Sequence, residues 1–268
     1  MSTTVTRLQV GDDPADWAAL GFMVDVGGAC RVGSLAIELV GRSGGAGITG
    51  WTLAHDAAEP SRRSEPTAID GIPTTWEPST PANRAAIRAR SGPDCSPVRG
   101  GEPAHAEAVG DRPAHGSCPE GTTRHPAGCV ELDHLVATTS DLEHAVDALH
   151  EAGFDERRRR DVGGESRMVQ VFLRGGPVIV ELVGPQESTG SPGTSLWGLA
   201  FAVSDLDAAA DRLGAALGPI RPAVQPGRRI ATVRHDDVGL SMPVALMTPR
   251  ATGTWSTRAA DPLTRARQ

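Results

Sequence analysis

The sequence predicts an α+β protein of repeated βαβββ modules: two well formed and paired, preceded by a shortened N-terminal one. Three observations carry this. LDHLVATTSDLEHAV (132–146) aligns with LWGLAFAVSDLDAAA (196–210) at an offset of 64 residues. At that offset Leu149 meets Leu213, Gly163 meets Gly227, Val169 meets Val233, Gly175 meets Gly239, Val180 meets Val244 and Pro185 meets Pro249, with no gap. Finally, a strand-like run with a central carboxylate occurs twice, as VIVELVGP (178–185) and AIELVG (36–41).

Each copy opens on an apolar strand, and Ser140 or Ser204 with an acid three positions on, Glu143 or Asp207, predicts a capped helix start. Leu142, Ala145, Val146 and Leu149 follow helical spacing, as do Leu206, Ala209, Ala210 and Leu213. Gly153 and Gly218 are the expected stops, because glycine accepts the left-handed cap position. Strands are then expected at 156–162, 167–174 and 177–183, separated by glycine pairs at 163–164 and 175–176. Alternation puts Val178, Val180 and Leu182 on one face of the last strand and Ile179, Glu181 and Val183 on the other.

The resulting domain reading runs 1–56 shortened module, 57–127 insert, 128–185 module, 194–249 second module and 250–268 polar tail. In the first, a strand at 5–10, a short helix after Pro14 and Leu20-Gly21-Phe22 echo the central copy. From 57 to 127 apolar periodicity fails and Pro, Gly, Ser, Arg and Glu dominate. Such a composition buries too little surface to offset chain entropy, so a disordered insert, dispensable for folding, is expected there. The paired modules are expected to pack on one another, since a sheet with one apolar face needs a second layer.

The 268 residues carry a formal charge of -7, and all 26 basic residues are arginine. No global basic field exists to attract a phosphate backbone, so a nucleic-acid partner is not expected. No apolar run approaches the ~20 residues that span a bilayer, and the N-terminus lacks the pattern of a signal peptide. With four cysteines (30, 95, 118 and 129) read as reduced thiols, a cytoplasmic protein without a membrane partner is expected. Cys95, Cys118 and Cys129 with His105, His115 and His125 lack the paired spacing of a zinc site.

Paired βαβββ modules that open on LDHLVATTSDL and close on VIVELVGP resemble the vicinal oxygen chelate superfamily: glyoxalase I, extradiol dioxygenases and bleomycin-resistance proteins. More narrowly, the chain resembles actinobacterial glyoxalase-like domain proteins. The resemblance implies a cleft between modules, with a divalent metal held from first and fourth strands. Carried over by position, it implies His134 and Glu181 as metal ligands. The matching positions 64 residues on, Gly198 and Ala245, have no donor side chain. Glu38 occupies the fourth-strand position of the N-terminal copy, whose first strand has no histidine. A third ligand is therefore sought in Glu38, His55, His235 or a second subunit of a homodimer.

Imidazole with carboxylate suits Fe(II), Mn(II), Ni(II) or Zn(II). Two functions follow from the resemblance: a metal-dependent lyase, isomerase or dioxygenase acting on a small oxygenated molecule, or a metal-free small-ligand-binding protein of the bleomycin-resistance kind. His134 with Glu181 favours the first, Gly198 and Ala245 the second. Arg160, Arg228 and Arg229 are candidate contacts for an anionic ligand, the first from the run Arg157 to Arg160, two of which alternation sends inward. No phosphate loop, dinucleotide fingerprint or nucleophile elbow competes.

Overall fold

The computed structural model describes residues 3–55, 67–80, 125–163 and 167–250, which form two sheets. The C-terminal sheet holds the two long modules. Strand β7 (Cys129–Thr139) leads to helix α2 (Leu142–Glu151), then β8 (Asp155–Gly163), β9 (Met168–Gly175) and β10 (Val178–Pro185). The second copy runs β11 (Thr194–Val203), α3 (Leu206–Leu213), β12 (Arg221–Pro222), β13 (Arg229–Thr232) and β14 (Val244–Met247). In each module the first and fourth strands pair in parallel, β7 with β10 and β11 with β14.

The helices begin one residue later than expected. Asp141, not Ser140, caps α2 by accepting from the His144 amide, and Asp205 caps α3 by accepting from Asp207 and Ala208. Ser140 instead donates to the Ser191 carbonyl. The second helix also stops early, at Gly214 and not Gly218, because Gly214 is the first residue after Leu213 that takes positive φ, 52°, at no side-chain cost. The buried stripe Leu142, Ala145, Val146 and Leu149 is the expected one.

The two long modules pack on one another as expected, though neither is the other's second layer. They meet edge to edge through antiparallel pairing of β7 with β11, giving one eight-stranded sheet of order β12-β13-β14-β11-β7-β10-β9-β8. The second layer comes from the N-terminal sheet.

That sheet contains β1 (Thr3–Val10), helix α1 (Pro14–Ala19), β2 (Ala29–Val32), β3 (Leu35–Leu39), β4 (Ile48–His55), β5 (Thr67–Ile69) and β6 (Ile72–Pro78). Its order is β2-β3-β1-β4-β6-β5, with β1 parallel to β3, β4 parallel to β6, and β1 antiparallel to β4. This is the connectivity of the C-terminal sheet in miniature. Strands β4 to β6 are a fourth, reduced module.

The expected insert at 57–127 is therefore corrected at both ends. Residues 67–78 form a hairpin whose Ile69, Ile72 and Thr74 are buried, turning at Asp70 and Gly71 with φ of 44° and 87°. Asp-Gly between apolar residues is the strongest short hairpin signal, because both turn positions need positive φ. At the other end His125 is buried, accepting from the Met23 amide at Nδ1 and donating to the Arg31 carbonyl from Nε2. The rest of that segment, with Cys95, Cys118, His105 and His115, lies outside the described residues, as does the tail from 251.

One apolar core runs between the sheets. Trp51 of β4 stacks on Phe154 at 5.4 Å between ring centroids, and Trp17 and Phe22 meet Phe201 of β11 edge-on. Such pairs add about 0.5–1.5 kcal/mol beyond area burial. Polar clips fix the register: Asp12, wholly buried, accepts from Trp17 Nε1 and from the amide and hydroxyl of Ser241, and Asp70 accepts from the Thr194 hydroxyl. Among the described residues no helix is long and apolar enough to cross a membrane.

Candidate active site

On β10 the alternation expected from the sequence holds: Val178, Val180 and Leu182 are buried in the core, while Glu181 and Val183 face the other side. Glu181 stands opposite Val136 of β7, one pleat from His134. Here His134 Nε2 comes within 3.6 Å of Glu181 Oε2, and Gln170 of β9 donates to Glu181 Oε1 at 2.8 Å.

A bulge sets the histidine. His134 opposes Ala200 and Leu132 opposes Phe201, so Asp133 is an extra residue in β7. Neighbours on a regular strand point to opposite faces, and a bulge removes that constraint. Asp133 Oδ2 thus reaches His134 Nδ1 at 3.0 Å. Asp133 is buried beneath Arg228, whose Nη2 lies 2.6 Å from Oδ1, and beside Arg250. Burial pushes this carboxyl up, but hydrogen bonds from His134 and Arg228 and the charge of Arg250 outweigh it, holding the group well below the usual carboxylate range. An ionised carboxylate only accepts, so Nδ1 carries the hydrogen toward Asp133 and Nε2 is the nitrogen turned to Glu181. Imidazole and carboxylate therefore converge on one point, an arrangement that a shared proton, or a cation between them, stabilises.

The pair forms the floor of a cavity of about 230 Å³. One wall carries Arg158 and Arg160 of β8 with Gln170 and the Phe172 ring of β9; the other, from the second module, is Pro222, Ala223, Val224, Gln225, Ile230 and Met247.

Strand register defines the matching positions in all four modules. Glu181 opposite Val136 corresponds to Glu38 opposite Gln9, Ala245 opposite Ala200 and Thr75 opposite Thr52. Two residues before each first-strand partner stand His134, Arg7, Gly198 and Gly50. In the first half the slot is closed by an ion pair, Arg7 Nη1 to Glu38 Oε1 at 2.5 Å. In the second module of each half a side chain is sterically barred: a Cβ on Gly198 would lie 2.8 Å from the Pro243 carbonyl oxygen, and one on Gly50 would lie 2.9 Å from that of Pro73.

The structure thus brings His134, Glu181 and Arg160 to one cavity and leaves other candidates elsewhere. Glu38 is on the other sheet with Arg7, and His55 lies there against Trp76. His235 sits on a short 3-10 turn beside Asp236. Arg228 is buried on Asp133, and exposed Arg229 pairs with Asp207; neither lines the cavity. Asp133, Arg158, Gln170 and Phe172 were not singled out from the sequence. Strand parity pairs Arg158 with Arg160 and was available, whereas the bulge that turns Asp133 to His134 has no local signature. Among the described residues no group of three or more histidine, cysteine or acidic side chains is placed to hold a metal. His134 and Glu181 supply two donors where an open catalytic site has three, so the residues present do not fit a resident metal unaided.

Residues 133–232 match the family model described as Glyoxalase/Bleomycin resistance protein/Dioxygenase superfamily. No curated protein matches the chain. Among solved structures, a triple mutant of 4-hydroxymandelate synthase from Streptomyces coelicolor is 15% identical, with 94% of each chain covered and a TM-score of 0.51. A xylose isomerase-like TIM barrel/4-hydroxyphenylpyruvate dioxygenase fusion protein is 13% identical, covering 94% of this chain and 50% of its own, also at 0.51. Methylmalonyl-CoA epimerase from Mycobacterium tuberculosis is 23% identical over 47% of this chain and 92% of its own, with a TM-score of 0.38. The first two likenesses span both halves and show the fold alone. The module architecture agrees with the family match, which spans residues 133–232 and so makes the C-terminal half similar to the glyoxalase/bleomycin resistance protein/dioxygenase superfamily.

Proposed function

We propose that the cavity between the two C-terminal modules binds a small oxygenated molecule without a resident metal, His134 and Glu181 engaging its oxygens. The observation that carries this is the donor count. Of four corresponding positions in this half, two hold Gly198 and Ala245, and the Pro243 carbonyl bars a side chain at the first. On this reading Asp133 keeps His134 in one tautomer, and Nε2 and Glu181 accept hydrogen bonds from the ligand or exchange a proton with it.

A second reading, a metal-dependent lyase, isomerase or dioxygenase, is favoured by the convergence of Nε2 and Oε2 at 3.6 Å with a carboxylate behind the imidazole. An outer carboxylate of that kind orients ligating histidines. Fe, Mn, Ni or Zn are the candidate ions by donor type. The fold admits either reading, because one architecture hosts many reactions.

Metal analysis of protein purified without added metal, repeated after incubation with each ion, separates the two. The metal-free reading expects sub-stoichiometric metal in every case, and thermal midpoints of Glu181→Gln and His134→Ala that added ions do not change. One equivalent of metal in the wild type, lost in both variants, establishes the second reading.

A further inference from the structure

Two cations line the cavity. Arg157 to Arg160 lie on β8, and register places Arg158 opposite Phe172 and Arg160 opposite Gln170, on the cavity side. Arg159, between them, turns to the other face and pairs with Glu143 and Glu156. Among the described residues neither Arg158 nor Arg160 is in an ion pair; Arg158 lies over the Phe172 ring, 4.7 Å from its centroid. The opposite wall carries no charge and presents Val224, Ile230 and Met247.

We propose, resting on the cavity as the ligand site, that its ligand is a small monocarboxylate with an apolar body. Arg158 and Arg160 grip the carboxylate, Phe172, Ile230 and Met247 enclose the body, and the far end meets His134 and Glu181. Guanidinium matches a planar carboxylate in a bidentate fork, and water exclusion by the apolar wall strengthens the contact. Phe172 separates Arg158 from Glu181 along one cross-strand row. Two strand spacings put about 10 Å between their backbones, which keeps the ligand's anion apart from the Glu181 carboxylate. The cavity of about 230 Å³ has room for a branched chain or a single ring.

The test is calorimetric titration of the full chain with 3-hydroxy-2-methylpropanoate, 4-hydroxybenzoate and 4-hydroxyphenylacetate, whose hydroxyl can meet His134 and Glu181, each beside its neutral amide, and with phenyl phosphate. The expected result is at least one acid bound tenfold or more tighter than its amide, with the preference abolished in the Arg158→Gln, Arg160→Gln double variant. Amide affinity and thermal midpoint should stay unchanged in that variant, and His134→Ala should keep the preference. An acid and amide that bind alike, or a preference that survives loss of both arginines, overturns the carboxylate assignment and leaves the cavity reading standing. Tighter binding of phenyl phosphate than of every acid overturns it in favour of a phosphate. No binding of any compound at millimolar concentration overturns the cavity reading as well.

Discussion

Arg228 Nη2 lies 2.6 Å from Asp133 Oδ1, and the guanidinium is 8% exposed, so a buried ion pair stands directly behind His134. Removing one partner of such a pair strands the other charge, at a cost of about 3–5 kcal/mol. Asp133→Asn should therefore lower the thermal midpoint strongly at neutral pH. The Asp133 carboxyl titrates below its usual range in the folded protein, so its stabilisation is complete above the unfolded value of ~3.9 and fades as pH falls below it. The midpoint gap between wild type and variant should be flat from pH 5 to 8 and narrow in more acid solution. A gap that widens in acid contradicts the ion-pair assignment.

Cys30 and Cys129 are both buried, and burial pushes each thiol up to about 12, with Asp25 adding to the effect on Cys30 and Cys30 to that on Cys129. The thiolate is the reactive form, so both should resist alkylation in the native state. Mass spectrometry after brief iodoacetamide treatment at pH 8 should find these two unmodified, and modified once denaturant is added. Rapid native labelling of Cys129 would mean that β7 opens locally.

The hairpin at 67–78 completes the first sheet through Trp51 Nε1 to Thr74 and clamps β11 through Asp70 to Thr194. Deleting 57–127 should therefore abolish cooperative unfolding by circular dichroism. A soluble, cooperatively folding deletion protein would restore the original expectation that the whole segment is dispensable.

What the sequence made legible was set by period and register. The long modules showed themselves because their strands and helices recur at one offset, and the face of Glu181 followed from a parity of two. The fourth module was hidden because its strands are three to eight residues long and no single offset joins them to another copy: ITGWTLA (48–54) matches LWGLAFA (196–202), but Ile72-Pro73 matches Met242-Pro243 at a different spacing, although Asp70-Gly71 marked its hairpin. Arg228 could not be told from a ligand contact, since nothing in QPGRRIATVR reveals that a carboxylate 95 residues away lies buried beneath it. Edge pairing of β7 with β11 was equally invisible: apolar alternation says which face is buried, not which edge is paired.

The correspondence among modules yields the last prediction. Ala245 holds in the second module the place of Glu181 in the first, and it shares a strand face with Met247, which lines the cavity. Ala245→Glu should bring a third donor toward His134 and Glu181, the number an open metal site has. The variant should bind one equivalent of Zn(II) or Ni(II), with a midpoint that rises with metal concentration; saturation a hundredfold above Kd adds about 2.7 kcal/mol. Gly198→His, the other apparent restoration, should fail. Its Cβ would sit 2.8 Å from the Pro243 carbonyl oxygen, which also accepts the Leu199 amide and so cannot withdraw without breaking the pairing of β11 with β14. Overpacking of this kind costs about 1–3 kcal/mol. Isothermal titration and thermal scans of both variants, with and without metal, check the contrast. Stoichiometric metal in Gly198→His with none in Ala245→Glu would show that strand register does not define the site.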